Sequence, residues 1–284
     1  MTADSDMTDL SHPLNRAGQT AIPVSTYRLQ LNKQLTFAEA TRFIAYLRRL
    51  GISHCYVSPY LKARPGSTHG YDIVDHNELN PEIGSPEDFE RFIEELQKNR
   101  MGLISDIVPN HMAIMGSDNA WWLDVLENGQ ASCHAVFFDI DWHPVKKALQ
   151  NKILLPVLGD HYGNILEQRQ LKLVFDADQG EFSVYYYQHR FPVDPQTYPF
   201  ILSSQHPHLP DYFTADDQVF MEYQTVDNSF SKLPLRTDRA EEKLEERKRD
   251  KEVFKKQLAK LYGENMLRVF EDVEKTAARL RASP

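Results

Sequence analysis

An Asp, an Asn and a His occur at the end of an otherwise apolar segment, Met101 to Ala113 (MGLISDIVPNHMA). Asp106 lies inside the part of this segment that is predicted to be a strand. If that strand is buried, the carboxylate must be paired or hydrogen-bonded, and an Arg would suit it. Asn110 could coordinate a cation or fix a loop, and His111 could donate to a hydroxyl group of a substrate. The structural alternative is a strand end that is capped by ordinary polar residues.

A second polar group lies in the segment HGYD, which holds His69, Tyr71 and Asp72, with Asp75 and His76 close behind. A Tyr beside an Asp could bind a sugar, since the ring stacks on the apolar face of a pyranose and the carboxylate accepts hydrogen bonds from hydroxyl groups. The alternative is a loop in which these side chains satisfy nearby backbone groups. The spacing alone slightly favours that alternative.

Aromatic and acidic residues are mixed in a third region, which contains Trp121, Trp122 and the segment FDIDW with Asp139 and Asp141. Aromatic rings and carboxylates could line a saccharide cleft, and they could equally form the small core of an inserted domain. Asp139 and Asp141 are two residues apart, so they would face the same side of a strand and could form a metal site or an acid pair.

Three strands and two helices must position the first two groups. The strand-like segments IPVSTYRLQL, SHCYVSP and MGLISDIVPN alternate with two predicted helices. One helix is expected to begin with a capping box at Thr36 and Glu39, and the other at Ser85 with Pro86 in its first turn. Alternation of this kind predicts a parallel sheet covered by helices.

The C-terminal ends of the three strands all carry polar or special residues. Function gathers at these ends in parallel sheets, so chemistry at this edge is expected. Arg28 and Gln30, at the end of the first strand, are therefore further candidates for the site.

Charge and composition exclude several classes of partner. Hydrophobic residues make up 41% of the chain and charged residues 26%, which is typical of a globular protein. The formal net charge of -9 argues against nucleic acid as the main partner. No apolar run is long enough to span a membrane, and the polar first twenty residues do not resemble a signal peptide. The flanks of Cys55 and Cys133 show no metal-ligand spacing, so two thiols in a reducing cytoplasm are expected.

The sequence predicts three regions. Residues 1–21 are expected to be a flexible N-terminal arm, residues 22–111 hold the strand–helix alternation, and residues 112–284 form a further domain, since the alternation stops after His111.

Several local predictions can be compared with the structure. The polar segment from Tyr60 to Pro81 and the proline-containing residues 191–212 are expected to be loops. Alternating residues on either side of Asp178-Gln179-Gly180 predict a β-hairpin. The segment from Thr237, rich in Glu, Lys and Arg, predicts one long helix or two helices, mostly solvated in the first part.

Five segments of the chain, taken together, resemble a known family. STYRLQL, HGYDIVDHNELNPEIG, DIVPNHMA, WWLDVLENG and FDIDWHP are similar to the maltooligosyltrehalose synthases, the (1→4)-α-D-glucan 1-α-D-glucosylmutases of glycoside hydrolase family 13. DIVPNH alone resembles a block shared by the whole α-amylase clan. The resemblance covers roughly Pro23 to Phe200. It implies an α/β fold: about three βα units from the N-terminal part of a (β/α)8 TIM barrel, with an inserted α+β domain after the third strand.

The resemblance also implies a maltooligosaccharide or α-1,4-glucan substrate. Tyr71 would stack on the sugar that precedes the scissile bond. Asp72 would bind the outer hydroxyl groups of that sugar, and His111 would bind the hydroxyl groups near the reacting carbon.

The other polar residues receive lesser roles from the resemblance. Asp106 and Asn110 would be structural, and Arg28 and Gln30 are weaker candidates for substrate binding. Asn110 resembles a calcium ligand of some amylases, but no metal and no cofactor is assigned to this branch.

The implied activity is intramolecular transglucosylation, which converts the reducing-end α-1,4 linkage of a maltooligosaccharide to α,α-1,1. A retaining mechanism needs two carboxyl groups about 5 Å apart. The family carries them on strands four and five, which we expect beyond Pro284, so no catalytic residue is assigned. The alternatives are another hydrolase or transglucosylase of the clan, or a vestigial, non-catalytic carbohydrate-binding fragment. We expect this chain alone to be inactive and, with an unpaired edge on its third strand, poorly stable or associating.

Overall fold

The computed structural model describes residues 22–204 and 218–261. The predicted N-terminal arm, residues 1–21, and the end of the charged segment, residues 262–284, lie outside the described residues. The chain divides into two compact units: unit 1 is Met1–Ile114 and unit 2 is Met115–Pro284. This division falls three residues after the boundary that the sequence predicts.

Unit 1 alternates strands and helices along the chain. Its elements are β1 (Thr26–Leu29), α1 (Phe37–Arg49), β2 (His54–Val57), β3 (Leu61–Ala63), β4 (Ile73–Leu79), a 3-10 turn at Pro81–Ile83, α2 (Pro86–Lys98) and β5 (Gly102–Ser105). Strands β1, β2 and β5 form a parallel sheet in the order β1-β2-β5. The predicted strands and helices are therefore present, and the sheet is parallel as expected.

Both helices of unit 1 begin at the predicted caps. The Oγ1 atom of Thr36 accepts a hydrogen bond from the backbone N–H of Glu39 (3.3 Å), although the Glu39 side chain pairs with Arg42 and does not complete the capping box. At α2 the box is complete: the Ser85 hydroxyl accepts from the backbone N–H of Asp88, and the Asp88 carboxylate accepts from that of Ser85. These bonds satisfy backbone donors that have no partner inside a helix.

The core of unit 1 lies between the parallel sheet and the two helices. Phe37 is fully buried and contacts Phe89 and Phe92 with ring centroids 5.2 Å and 6.0 Å apart. The remaining buried apolar residues come from the sheet and from the helix faces with helical spacing, including Leu29, Ala40, Ile44, Leu47, Cys55, Val57, Leu96 and Met101. Burial of these faces fixes how each helix packs on the sheet.

The segment from Tyr60 to Pro81 is not a simple loop, so this prediction is wrong. It contains β3 and β4, which pair in antiparallel fashion with irregular register. Long-range bonds hold this ribbon, since Ile73 accepts a backbone hydrogen bond from Ala113 (2.8 Å) and His76 Nε2 lies 3.1 Å from the carbonyl oxygen of Val108. Such bonds depend on residues far away in sequence and do not appear in local composition.

Unit 2 combines one antiparallel sheet with several helices. Its elements are α3 (Ala120–Asn128), α4 (Tyr162–Glu167), β6 (Leu171–Asp176), β7 (Glu181–Tyr186), β8 (His189–Pro192), α5 (Tyr198–Ser204), α6 (Gln218–Ser231) and α7 (Glu241–Leu261), with 3-10 turns at Gly129–Ala131, Ala135–Phe137, Lys147–Leu149 and Pro195–Thr197. The sheet has the order β6-β7-β8. Residues 191–212 were expected to form a loop. This prediction is wrong where β8 ends and where α5 lies, and residues 205–212 lie outside the described residues.

The predicted hairpin is confirmed. Strands β6 and β7 pair from Leu171 to Asp176, and Gly180 closes the turn with φ +64° and a hydrogen bond to the carbonyl oxygen of Asp176 (2.8 Å). A Cβ atom at Gly180 would lie 1.9 Å from the carbonyl oxygen of Lys255 on α7. Glycine is therefore required here both for the left-handed backbone and for the close approach of the helix.

The first part of helix α7 is mostly exposed, as predicted, but three cations of the helix are buried on one side: Arg247, Lys251 and Lys255. Lys251 and Lys255 both bind the buried carboxylate of Glu127, and Lys255 also binds Glu181 (2.9 Å). Burial alone would raise the pKa of Glu127, but the attraction of the two lysines outweighs it and lowers that pKa. Unit 2 thus holds an ionic network that its charge pattern did not predict.

Candidate functional site

The register of the parallel sheet aligns the first residues of the site. Arg28 on β1 is the partner of Tyr56 on β2, and Tyr56 is the partner of Ile104 on β5. Asp106 follows Ile104 by two residues, just past the end of β5. Because side chains alternate along a strand, Arg28, Tyr56 and Asp106 share one face at the C-terminal edge of the sheet.

The carboxylate of Asp106 accepts hydrogen bonds from three different side chains. Its Oδ2 atom lies 2.9 Å from Nη1 of Arg28 and 3.1 Å from the hydroxyl of Tyr56. The Tyr71 hydroxyl also donates to Oδ2 and accepts a hydrogen bond from Nη2 of Arg28 (2.7 Å). The guanidinium of Arg28 lies over the Tyr56 ring, 4.3 Å from its centroid, which adds a cation–π contact. Asp106 therefore has the Arg partner that its place in the sequence required.

These contacts set the charge of each group. The hydrogen bond from Tyr71 holds the pKa of Asp106 below its ordinary value, with Arg28 and Tyr56 acting in the same direction against burial. The same bond to Asp106 raises the pKa of Tyr71. Burial disfavours the charge of Arg28, but the hydrogen bonds with Asp106 and Tyr71 outweigh it and raise its pKa. At neutral pH the cluster is a cation, an anion and a neutral phenol, which suits Asp106 to holding Tyr71 in place.

A tight turn brings Tyr71 to the end of β2. Gly70 has φ +79°, and a Cβ atom on it would lie 2.4 Å from the carbonyl oxygen of Pro59. Gln30 fixes the same turn from β1, since its Nε2 atom donates to the carbonyl oxygens of His69 (2.9 Å) and Thr68 (3.4 Å). Gln30, a candidate for the site, contacts the loop that carries Tyr71.

Asp72 is held by its own loop. Its Oδ1 atom accepts a hydrogen bond from the hydroxyl of Ser67, and its backbone oxygen accepts from the N–H of Arg64 (3.0 Å). Nδ1 of His69 lies 3.9 Å from Oδ1 of Asp72, but this nitrogen accepts from the backbone N–H of Tyr71 (3.0 Å). It therefore carries no proton toward Asp72, and the 3.9 Å contact is not an ion pair.

His111 and Asn110 are exposed and lie beside each other after β5. Nδ1 of His111 lies 3.2 Å from Oδ1 of Asn110. The structure brings Arg28, Tyr71 and Asp106 together, and it places His111 and Asn110 on the segment that continues from Asp106. That segment is tied to β4 through Ala113.

The sequence did not single out Tyr56 or Ser67, which both contact candidate residues. Tyr56 is half-buried between the buried residues Cys55 and Val57, so it points to the opposite face of β2 from them. The sequence did offer one signal for Tyr56: it is an aromatic residue with a hydroxyl group, on the face of a predicted strand opposite the buried residues. Ser67 offered no comparable signal, since a Ser in a loop is common.

The third region does not form a strand. Asp139 and Asp141 are exposed in irregular backbone, so the shared strand face proposed for them is absent. Trp122 is buried and contacts Phe138 with ring centroids 5.0 Å apart, as expected for a core residue. Trp121 is half-buried and stacks on His134.

Comparison with known proteins shows the family. The model of the α-amylase catalytic domain matches residues 40–229, which is well over half of the chain and includes Tyr56, Tyr71 and Asp106. The chain belongs to the α-amylase family. The fold class predicted from the sequence is confirmed: β1, β2 and β5 with their helices are the first part of a (β/α)8 barrel, which the described residues do not close.

Within the α-amylase family, the chain is similar to maltooligosyltrehalose synthases. It is 44% identical over 146 residues to a maltooligosyl trehalose synthase of Mycobacterium tuberculosis, which covers 49% of this chain and 19% of that protein. The solved structure of maltooligosyltrehalose synthase from Arthrobacter ramosus is 40% identical with a TM-score of 0.52, and covers 61% of this chain and 21% of that chain. The intracellular maltogenic amylase of Bacillus subtilis is 35% identical over 100 residues, 35% of this chain and 16% of that protein. The chain thus spans about a fifth of the length of these synthases.

By the resemblance noted in the sequence, Asn110 is similar to a calcium ligand of some amylases. Calcium takes six to eight oxygen ligands, several of them carboxylates. Among the described residues of unit 1, no group of three His, Cys, Asp or Glu side chains brings its ligand atoms together. Among the described residues, no helix is long and apolar enough to cross a membrane.

Proposed function

We propose that this chain is part of an intramolecular transglucosylase that forms maltooligosyltrehalose. The observation that carries the proposal is the extent of the likeness to synthases. The similarity to a named synthase reaches 44% identity over 146 residues, against 35% over 100 residues for the maltogenic amylase. The longer alignment and the higher identity with the synthase favour an intramolecular transglucosylase over a hydrolase of the α-amylase family.

The proposed reaction is an isomerisation. A carboxylate bonds to the anomeric carbon as the α-1,4 bond at the reducing end of a maltooligosaccharide breaks, and an acid carboxyl group gives its proton to the departing oxygen of the glucose, which stays in the site. The anomeric hydroxyl of that glucose then attacks the same carbon, displaces the carboxylate and returns its proton to the acid/base group, so an α,α-1,1 bond forms. Two carboxyl groups about 5 Å apart act as nucleophile and acid/base in a retaining reaction of this kind. We assign neither role to Asp106, because its carboxylate is occupied by three donors.

The residues of this chain are proposed to bind the substrate. The ring of Tyr71 would stack on the sugar that precedes the scissile bond, and its orientation is fixed by Arg28 and Asp106. Asp72 would accept hydrogen bonds from the outer hydroxyl groups of that sugar. His111, which is exposed, would donate to hydroxyl groups near the reacting carbon.

The division of the chain and its location are also proposals. Residues 22–111 would be the barrel portion and residues 112–284 the inserted domain. Both cysteines are free, which supports action in a reducing cytoplasm.

Binding of maltopentaose to the purified 284-residue chain tests the substrate class. We expect saturable binding, detected by chemical-shift changes on titration, that weakens roughly three- to tenfold in Tyr71→Ala and is largely kept in Tyr71→Phe, since stacking on a ring is worth about 0.5–1.5 kcal/mol. Tyr187→Ala is the matched control, because Tyr187 is an exposed tyrosine of unit 2. Absence of binding by the folded chain, or equal binding by Tyr71→Ala, would overturn the assignment of Tyr71.

Product analysis tests the reaction. We expect no conversion of maltopentaose by this chain alone, because no residue of it is assigned as nucleophile or acid/base. A product that loses its reducing end without becoming shorter would show that the carboxyl groups are present and contradict this assignment. Release of glucose or shorter maltooligosaccharides would instead favour a hydrolase.

A further inference from the structure

Three side chains of unit 2 with different ligand atoms lie close together. One ligand atom each from Asp124, Cys133 and His134 falls within 4.8 Å of the others. Asp124 lies on α3, and Cys133 and His134 occupy the turn that follows it. Among the described residues, no other group of three His, Cys, Asp or Glu side chains has its ligand atoms this close together.

Local hydrogen bonds hold the carboxylate and the turn together. Oδ1 of Asp124 accepts from Nδ2 of Asn128 (2.8 Å), and Oδ2 accepts from the hydroxyl of Ser132. The same hydroxyl accepts a hydrogen bond from the backbone N–H of His134 (3.0 Å). Ser132 therefore links the helix that carries the carboxylate to the turn that carries the thiol and the imidazole.

The imidazole of His134 is held by an aromatic stack. It lies parallel to the Trp121 ring, with centroids 5.0 Å apart and an interplanar angle of 9°. Trp121 and Asp124 are three residues apart on α3, so they occupy neighbouring positions on one face of the helix. The stack covers the flat face of the imidazole and fixes the orientation of the ring.

One nitrogen of this imidazole lacks a partner. Nδ1 of His134 is buried and has no hydrogen bond among the residues that the structure describes. A buried polar atom without a hydrogen-bond partner destabilises the fold, so such an atom calls for a ligand. The three side chains also line a cavity of about 280 Å³, which has room for an ion and its water.

We propose that Asp124, Cys133 and His134 form a binding site for a thiophilic divalent cation of the zinc type. A carboxylate oxygen, a thiolate and an imidazole are ligands that Zn²⁺ accepts together, whereas Ca²⁺ and Mg²⁺ take oxygen ligands. Three protein ligands leave the fourth tetrahedral position to water. Ligand bonds of about 2.0–2.3 Å place tetrahedral ligand atoms roughly 3.3–3.8 Å apart, so the cluster closes by about 1 Å on binding. The exposed Cys133 makes this adjustment by rotation of its side chain.

Cations near the site set the electrostatic balance. Nζ of Lys251 lies 3.6 Å from Oδ1 of Asp124, and Arg247 and Lys248 line the same cavity. A thiolate and a carboxylate together neutralise a divalent ion, so the occupied site has no net charge to repel these neighbours. Lys251 is also paired with Glu127 at 2.8 Å, which offsets part of its charge. A thiolate at Cys133 is therefore necessary for this balance.

Metal titration of the purified, reduced 284-residue chain tests the site. Zn²⁺ is titrated against a chromophoric chelator, and Co²⁺ is used as a spectroscopic probe. We expect one ion per chain and a sulfur-to-cobalt charge-transfer band. Cys133→Ser should abolish the band, and His134→Phe, which keeps the ring on Trp121, should weaken Zn²⁺ binding by more than the roughly 10- to 100-fold typical of outer-shell partners.

Matched variants keep the test decisive. Cys55→Ala and His143→Phe remove a thiol and an imidazole outside the cluster, and both should bind the metal as the unchanged chain does. Folding of each variant is checked by circular dichroism. The proposal is overturned if the folded chain gives no thiolate band, or if Cys133→Ser and His134→Phe bind Zn²⁺ as tightly as the controls.

Discussion

Nη1 of Arg28 lies 2.9 Å from Oδ2 of Asp106, although 78 residues separate the two in the sequence. Arg28 belongs to β1 and Asp106 follows β5, so the ion pair joins the two outer strands of the parallel sheet across β2. The side chain of Asp106 is 16% exposed. A pair with this degree of burial and two further hydrogen bonds contributes more than an exposed ion pair does.

Replacement of Asp106 tests this contribution. Asp106→Asn removes the negative charge that faces Arg28 and weakens its hydrogen bonds with Tyr56 and Tyr71. We expect a loss of about 1–3 kcal/mol in the free energy of unfolding, measured by urea denaturation. Asp139→Asn is the control, since Asp139 is exposed, and it should change stability by less than about 0.5 kcal/mol. Equal effects of the two variants would show that the Asp106 contacts do not stabilise the chain.

The same carboxylate makes stability depend on pH. The folded chain lowers the pKa of Asp106, chiefly through the hydrogen bond from Tyr71. Its stabilising contribution is therefore complete above the unfolded-state pKa of about 3.9 and disappears as the pH falls through the lower folded-state pKa. Urea midpoints measured at decreasing pH should converge for the unchanged chain and Asp106→Asn. A difference in urea midpoint between the unchanged chain and Asp106→Asn that stays constant down to the lowest pH would contradict this linkage.

Two glycines with similar backbone angles allow the cost of a left-handed backbone to be distinguished from the cost of a steric clash. Gly66 and Gly70 have φ of +78° and +79°, but a Cβ atom would meet no atom within 4 Å at Gly66 and would lie 2.4 Å from the Pro59 oxygen at Gly70. Gly66→Ala should cost about 1 kcal/mol from the left-handed backbone. Gly70→Ala should cost about 1–3 kcal/mol more, from overpacking, and should displace Tyr71.

Urea denaturation measures the loss in the free energy of unfolding of each variant. The tyrosine signal in near-ultraviolet circular dichroism reports the displacement of Tyr71. If both variants lose the same free energy of unfolding, the close approach of Gly70 to Pro59 does not contribute to stability.

The buried lysines of α7 can be compared with an exposed neighbour. Lys255 is buried and binds Glu127 and Glu181, whereas Lys256 is exposed. Lys255→Met leaves the buried carboxylate of Glu127 and the partly buried carboxylate of Glu181 with one partner fewer, and we expect a loss of about 3 kcal/mol in the free energy of unfolding. Lys256→Met should be within about 0.5 kcal/mol of the unchanged chain. Thermal unfolding measures both, and a stabilised Lys255→Met would show that the ion network costs more than it contributes.

The elements of unit 1 that could be predicted combine a local start signal with a regular apolar pattern. Ser85 and Pro86 predict the start of α2, and the apolar residues of α1 recur at helical spacing. The β3–β4 ribbon has neither signal, because its stability comes from partners such as Val108 and Ala113. The buried lysines of α7 were missed for a related reason: Lys is usually exposed, and the burial of Lys251 and Lys255 depends on Glu127, more than a hundred residues earlier.

The candidate site could be predicted in part. A carboxylate in a predicted apolar strand needs a partner if it is buried, so the sequence indicated that an Arg would suit Asp106. The identity of that partner follows from the register of the parallel strands, which pairs Arg28 with Tyr56 and places both beside Asp106. Register depends on three-dimensional packing, so the contact between Tyr56 and Asp106 could be found only once the sheet was known.

The strand pairings of the two units have different consequences for how fast each sheet assembles. Strands β6, β7 and β8 are joined by short turns, so little chain entropy is lost when they meet. Strands β1, β2 and β5 meet only after two helical crossovers have closed, and pairings of such long sequence separation form slowly. The contact between Arg28 and Asp106 needs both crossovers, so it belongs to the last steps of folding. Stopped-flow kinetics of Asp106→Asn should therefore show faster unfolding and a nearly unchanged folding rate.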